Sequence, residues 1–154
     1  MHRRSGFTTI ELLIVIVLIG AVTVITFPKI RQTLDKTSVR AARVDVTTFA
    51  ALARAAAVRR GCRGVIHFAY GAQSSVWVTV CPRLAAGAGT VDTVASIDNL
   101  ENRYSVSLTS TSDSLQFDPR GLEMDNVTTV VRFTGNVGAN TDSVVINPLG
   151  KVVR

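Results

Sequence analysis

Between residues 10 and 27 the aliphatic and aromatic side chains are interrupted only by Glu11, Gly20, Thr23 and Thr26. As a helix over residues 7–27 this stretch would rise about 30 Å, one hydrocarbon thickness. It therefore predicts a single membrane-spanning segment, with the rest of the chain attached to its far end. Arg3 and Arg4 precede it, and the cytoplasmic bias of basic flanks predicts a cytoplasmic N-terminus, with everything after Pro28 on the opposite side. An ordinary secretory signal would have a shorter apolar stretch followed by a small-x-small cleavage site, and neither is visible. Glu11 is the anomaly. A carboxylate at hydrocarbon depth is disfavoured by a few kcal/mol, so its presence predicts a function and a cationic partner.

Set against 154 residues in total, an anchor leaves enough chain for one modest head and no second core. The formal net charge of +6 is unevenly distributed. Residues 29–63 hold nine Lys and Arg against Asp35 and Asp45, a balance of +7, whereas residues 64–154 hold six against eight acids, a balance of −2. A basic stalk beneath a slightly acidic head argues against a head built to bind nucleic acid. Two cysteines, Cys62 and Cys81, and two histidines, His2 and His67, are too few for a structural zinc site. His67 lies in the alternating run Val65, Ile66, His67, Phe68 and reads as a strand residue, not a catalytic base. With no paired-carboxylate or phosphate-loop motif, no enzyme and no cofactor are expected.

Beyond Pro28, which is expected to kink the helix, Val39, Ala42, Val46, Phe49, Ala53 and Ala56 recur at spacings of three and four. They lie opposite Arg40, Arg43, Thr47 and Arg54, the pattern of an amphipathic helix. It should run to Arg60 and stop at Gly61, with Arg59 and Arg60 at the negative end of the dipole. Anchor and stalk together would be about 80 Å long. After Gly61 short β-type runs follow at 65–70, 75–80, 105–109, 114–117, 128–133 and 143–146, with loops expected at 85–90 and 135–142. The fold class predicted is α+β: a long N-terminal helix packed on a mainly antiparallel β-sheet head. Cys62 opens the first strand region and Cys81 closes the second, a placement consistent with the two ends of one hairpin. If the head faces an oxidising compartment a disulfide is expected, with a pair of buried thiols as the alternative.

The segment Gly6-Phe7-Thr8-Thr9-Ile10-Glu11-Leu12, with its short basic leader, the apolar run behind it and Pro28, resembles the class III signal peptides of type IV pilins and type II secretion pseudopilins. That resemblance implies a prepilin peptidase that cuts after Gly6 and N-methylates Phe7, with Glu11 as the fifth residue of the mature chain. It also implies type IV pilin-like architecture: residues 1–6 a cleaved leader, 7–27 a transmembrane and filament-core helix, 28–60 an amphipathic helix and 61–154 a periplasmic head. Glu11 would then be the counter-ion of a Phe7 amine, its own or a neighbour's, inside an apolar layer where opposite charges attract strongly.

In the head, the run from Leu52 to Gly61, the segment Leu115-Gln116-Phe117-Asp118-Pro119-Arg120-Gly121 and the closing stretch from Val144 to Arg154 resemble the minor pseudopilins grouped as GspH/FimT. The implied function is structural: a subunit of the periplasmic pseudopilus of a type II protein secretion system, anchored in the inner membrane. Its implied partners are other major and minor pseudopilins and the inner-membrane assembly platform. The alternative is a minor type IV pilin that binds DNA during uptake. It would use Lys151 and Arg154, joined by Arg132 or Arg120 if the last strand lies beside theirs, and by Arg59, Arg60 and Arg63 at the helix end.

Overall fold

The computed structural model describes residues 8–71, 73–81, 91–137 and 140–153. A single helix, α1 (Thr9–Arg60), leads into the strands and is α-helical throughout, including at Pro28. Thr8 caps it: the Glu11 amide donates to Thr8 Oγ1 at 3.3 Å. At the other end Gly61 takes φ 64° and ψ 31°. Its amide donates to Val58 O and that of Cys62 to Ala57 O, the paired bonds of a Schellman stop at a position glycine tolerates without strain.

The strands are β1 (Gly64–Ala69), β2 (Ser75–Val80), β3 (Asp92–Asn99), β4 (Val106–Ser110), β5 (Ser114–Phe117), β6 (Thr129–Gly135), β7 (Thr141–Ile146) and β8 (Val152–Val153), with a short helix α2 (Leu100–Tyr104) before β4. They form two four-stranded sheets, ordered β3-β2-β1-β5 and β4-β6-β7-β8, and every pairing in them is antiparallel. The α+β expectation holds, and the strands divide between two sheets. The expected loop at 135–142 is a shorter connection from Gly135 to Thr141, while the one at 85–90 lies outside the described residues.

Only the distal part of α1 joins the head. Its buried stripe is Asp35, Val39, Ala42, Val46, Ala50, Ala53, Ala56 and Ala57, against inward side chains of both sheets such as Ile66, Val78, Phe117, Val131, Phe133 and Ile146. The stripe is mostly alanine because the backbones come close: a Cβ at Gly64 would lie 2.5 Å from Ala53 O and 3.1 Å from Ala57 Cβ. Phe49, expected on the core face, is half-buried at its margin, and Ala50 takes the central place. Ser74 stitches the sheets together, accepting from the Leu108 amide at 2.9 Å while its carbonyl accepts from the Leu100 amide at 2.8 Å.

Candidate functional site

The proximal part of α1 is the reverse of the distal part. Large apolar side chains from Ile10 through Phe27 all stand exposed, Val24 at 76% and Val17 at 69%. This helix is long and apolar enough to cross a membrane, and its exposed surface suits a cover of lipid or of other helices. Its threonines suit such a cover: Thr23 Oγ1 donates to Ile19 O at 2.7 Å and Thr26 Oγ1 to Val22 O at 2.8 Å. Both hydroxyls are thereby satisfied within the helix.

Glu11 sits in the first turn of this exposed half. Thr8 and Glu11 stand at the spacing of a capping box, where an acid also faces the positive end of the helix dipole. That local role was readable from the sequence as Thr-x-x-Glu ahead of an apolar run, and it stands beside any intermolecular one. Gly6 and Phe7, the expected cleavage and methylation positions, lie outside the described residues.

The head is clamped to α1 by polar contacts that the sequence did not disclose. Asp35, 4% exposed, accepts from the Asn140 amide at 3.1 Å, from Asn140 Nδ2 at 2.7 Å and from the Val137 amide at 3.3 Å. Arg43 pairs with Asp142 at 2.9 Å. Tyr104 donates to Asp45 at 2.6 Å, and that hydrogen bond, with burial and the charge of Asp45, raises the Tyr104 pKa above the usual tyrosine value. These contacts fix where along the helix the head begins, immediately beyond the exposed segment. Cys62 and Cys81 are joined in a disulfide, Cα atoms 6.2 Å apart, which ties the end of α1 to the end of β2.

The basic residues of the DNA-contact alternative are only partly assembled. Strand β8 pairs with β7 alone, so the last strand does not lie beside Arg132, which is in β6. Arg120 is turned to Asp118 at 2.9 Å and Arg60 to Asp92 at 2.7 Å. Lys151 instead borders a cleft of about 560 Å³ that Arg54 and Arg59 of α1 also line, with Ala50, Ala51 and Ala55. Arg54 was not among the expected contacts, and Arg154 lies outside the described residues. Among the described residues no His, Cys, Asp and Glu converge as a metal-ligating group.

Residues 42–150 match the family model described as type II transport protein GspH. No curated protein sequence matches the chain. Among solved structures, the type IV minor pilin FimU of Pseudomonas aeruginosa (strain PAO1) superposes in two crystal forms. One gives a TM-score of 0.59 at 10% identity, covering 77% of this chain and 88% of that one. The other gives 0.56 at 11% identity, covering 74% and 90%. At such identity the likeness carries the fold, a long helix laid on antiparallel sheets.

Proposed function

The chain belongs to the type II transport protein GspH family, and from that premise we propose that it is a minor pseudopilin of a type II protein secretion system. Membership makes it a filament subunit of the pilin and pseudopilin class; assignment to the secretion pseudopilus is the finer step. In this reading residues 1–6 are a leader removed after Gly6 by a prepilin peptidase, which also methylates the Phe7 amine. Residues 7–27 anchor the subunit in the inner membrane and later line the filament core, 28–60 form the stalk helix and 61–154 the periplasmic head. Glu11 pairs with the Phe7 amine of an adjacent subunit as each is inserted beside other pseudopilins on the assembly platform.

The observation that carries this reading is the division of α1: an apolar half exposed from Ile10 to Phe27 continues without a break into a half locked to the head. A subunit so built can exchange lipid for neighbouring helices without refolding its head. The processing step is tested by mass spectrometry of the chain from its native host, which should give an N-methylated Phe7 start in the wild type and an intact leader in Gly6→Leu. Any other mature N-terminus would defeat the class III assignment.

The second reading, a DNA-binding minor pilin, is favoured by one feature, the grouping of Lys151 with Arg54 and Arg59 on one cleft. Binding to phosphates through three cations should fall steeply with salt. Titration of the full chain in detergent with duplex DNA decides: micromolar, salt-sensitive binding lost in Lys151→Ala/Arg54→Ala supports the DNA reading, and no binding at low salt supports the secretion reading.

A further inference from the structure

The juxtamembrane part of α1 carries a charge pattern that filament assembly leaves unused. Past Phe27 the helix surface stays apolar at Ile30 and Leu34, both exposed. With residues 7–27 spanning a layer of about 30 Å, the hydrocarbon boundary falls near Phe27, and Lys29 and Arg31 lie at headgroup level. At that level the Arg31 guanidinium stands 4.5 Å from the centroid of the Phe27 ring. Such a pair suits a boundary where the ring lies among acyl chains and the charge among headgroups.

Lys29, Thr33, Lys36 and Arg40 follow at spacings of four, three and four, so they share one face over about 16 Å of helix, and all are exposed. Asp35, the acid of this segment, is turned into the head, where it accepts from Asn140. The outer face formed by Lys29, Thr33, Lys36 and Arg40 therefore carries three cations and no acid. At its upper end a cleft of about 380 Å³ opens between α1 and the start of β7, bordered by Lys36, Arg40, Asn140 and Asp142. Asp142 is paired with Arg43 at 2.9 Å, and Lys36 and Arg40 are the cations that line the cleft.

These cations flank the span on the side assigned to the periplasm, where the orientation bias of basic residues gives them no advantage. An anionic surface would. The Thr33 and Thr37 hydroxyls donate to Lys29 O and Leu34 O, so recognition falls to the charges and not to a stereospecific phosphate pocket. We propose that this face and its cleft dock the anionic phospholipid headgroups of the leaflet that α1 leaves, holding the unassembled subunit at a fixed depth with its head above the surface. The proposal rests on the anchored-subunit reading.

The test uses the full chain reconstituted in phosphatidylcholine bilayers, with the association of spin-labelled phosphatidylglycerol measured against spin-labelled phosphatidylcholine. Each juxtamembrane cation near the surface is expected to raise anionic association by up to about fivefold at low salt. The wild type should prefer phosphatidylglycerol. Lys36→Gln/Arg40→Gln should weaken that preference, and adding Lys29→Gln and Arg31→Gln should bring it near unity. The charge-conserving Lys36→Arg/Arg40→Lys and the opposite-side Arg3→Gln/Arg4→Gln should keep most of it. Inorganic phosphate should compete no better than chloride at equal ionic strength. A preference unchanged in the four-site variant, or lost wholly in Arg3→Gln/Arg4→Gln, overturns the proposal. Carbonate extraction of the same samples separates the two failures: a chain that washes out contradicts the anchored reading, whereas an extraction-resistant chain without lipid preference contradicts the docking surface alone.

Discussion

Replacing Asp35 with alanine should loosen the head from its helix. Among the described residues the carboxylate accepts hydrogen bonds at 2.7, 3.1 and 3.3 Å from Asn140 and Val137, and bonds to a charged acceptor contribute roughly 1.5–3 kcal/mol each. The longest is weak, and the donors are only partly buried, so water recovers some of the loss. Relief of the desolvated carboxylate offsets more. A net destabilisation of about 3 kcal/mol remains, corresponding to roughly a 15 °C fall in Tm for a head of this size. Asp35→Asn should lose most of the same amount, because its amide NH2 would face donors. Gly135→Ala attacks the clamp from the other side, since a Cβ there would collide with the Asp35 carboxylate. The assay is urea unfolding of the full chain in detergent, followed by the fluorescence of Trp77, the sole tryptophan, with amide exchange at Val137 and Asn140 as the local readout. A loss below about 1 kcal/mol in Asp35→Ala, or unchanged exchange at those amides, would refute the clamp.

The Cys62–Cys81 bridge spans a sequence separation of 19, for which the chain-entropy model gives about 3 kcal/mol. Cys62→Ser/Cys81→Ser should lower the urea midpoint accordingly, and an unchanged midpoint would mean the bridge does not constrain the unfolded chain. Burial holds the His67 imidazole below its ordinary 6.5, so the unfolded chain binds the proton more readily. The associated stability is complete above about pH 6.5 and declines as pH falls below it. The unfolding midpoint should therefore drop between pH 7 and 5, and His67→Gln should flatten that slope. A slope identical in both proteins would assign it to other groups. Asp118, held below the usual carboxylate value first by the Leu122 amide, acts in a more acid window.

What could be read from the sequence followed periodicity. The α1 stripe, its stop at Gly61 and six of the strands are encoded in spacings of three and four, in one left-handed position and in two-residue alternation. Phe49 and Ala50 show the limit: the pattern defines a face, but the closeness of β1 to Ala53 decides that alanine and not phenylalanine sits at its centre. Strand β3 was missed because, as an edge strand rich in polar residues whose pairing shifts register between Val76, Val78 and Thr79 of β2, it lacks clean alternation. β8 has two residues and owes its existence to pairing with β7. The division into two sheets depends on partners that alternation cannot name. Asp35 counted only as one acid within a basic stalk, since its role depends on Asn140, far along the chain. For the same reason the grouping of Lys151 with Arg132 was conditional on strand adjacency; the order β6-β7-β8 separates the two, and of the helix-end residues named Arg59 lines the same cleft as Lys151, together with Arg54, which was not named.

The central claim is that α1 carries a filament-assembly surface with Glu11 as its charged element. It is tested most directly by site-specific crosslinking from the exposed segment of α1 to neighbouring pseudopilins in the native host, wild type against Glu11→Val, with carbonate extraction in parallel. Valine raises apolarity, so both proteins should stay in the membrane fraction. Crosslinked adducts should form in the wild type and be strongly reduced in Glu11→Val, because the counter-ion for the incoming Phe7 amine is gone. Equal adducts in the two proteins, at equal membrane content, would contradict the account.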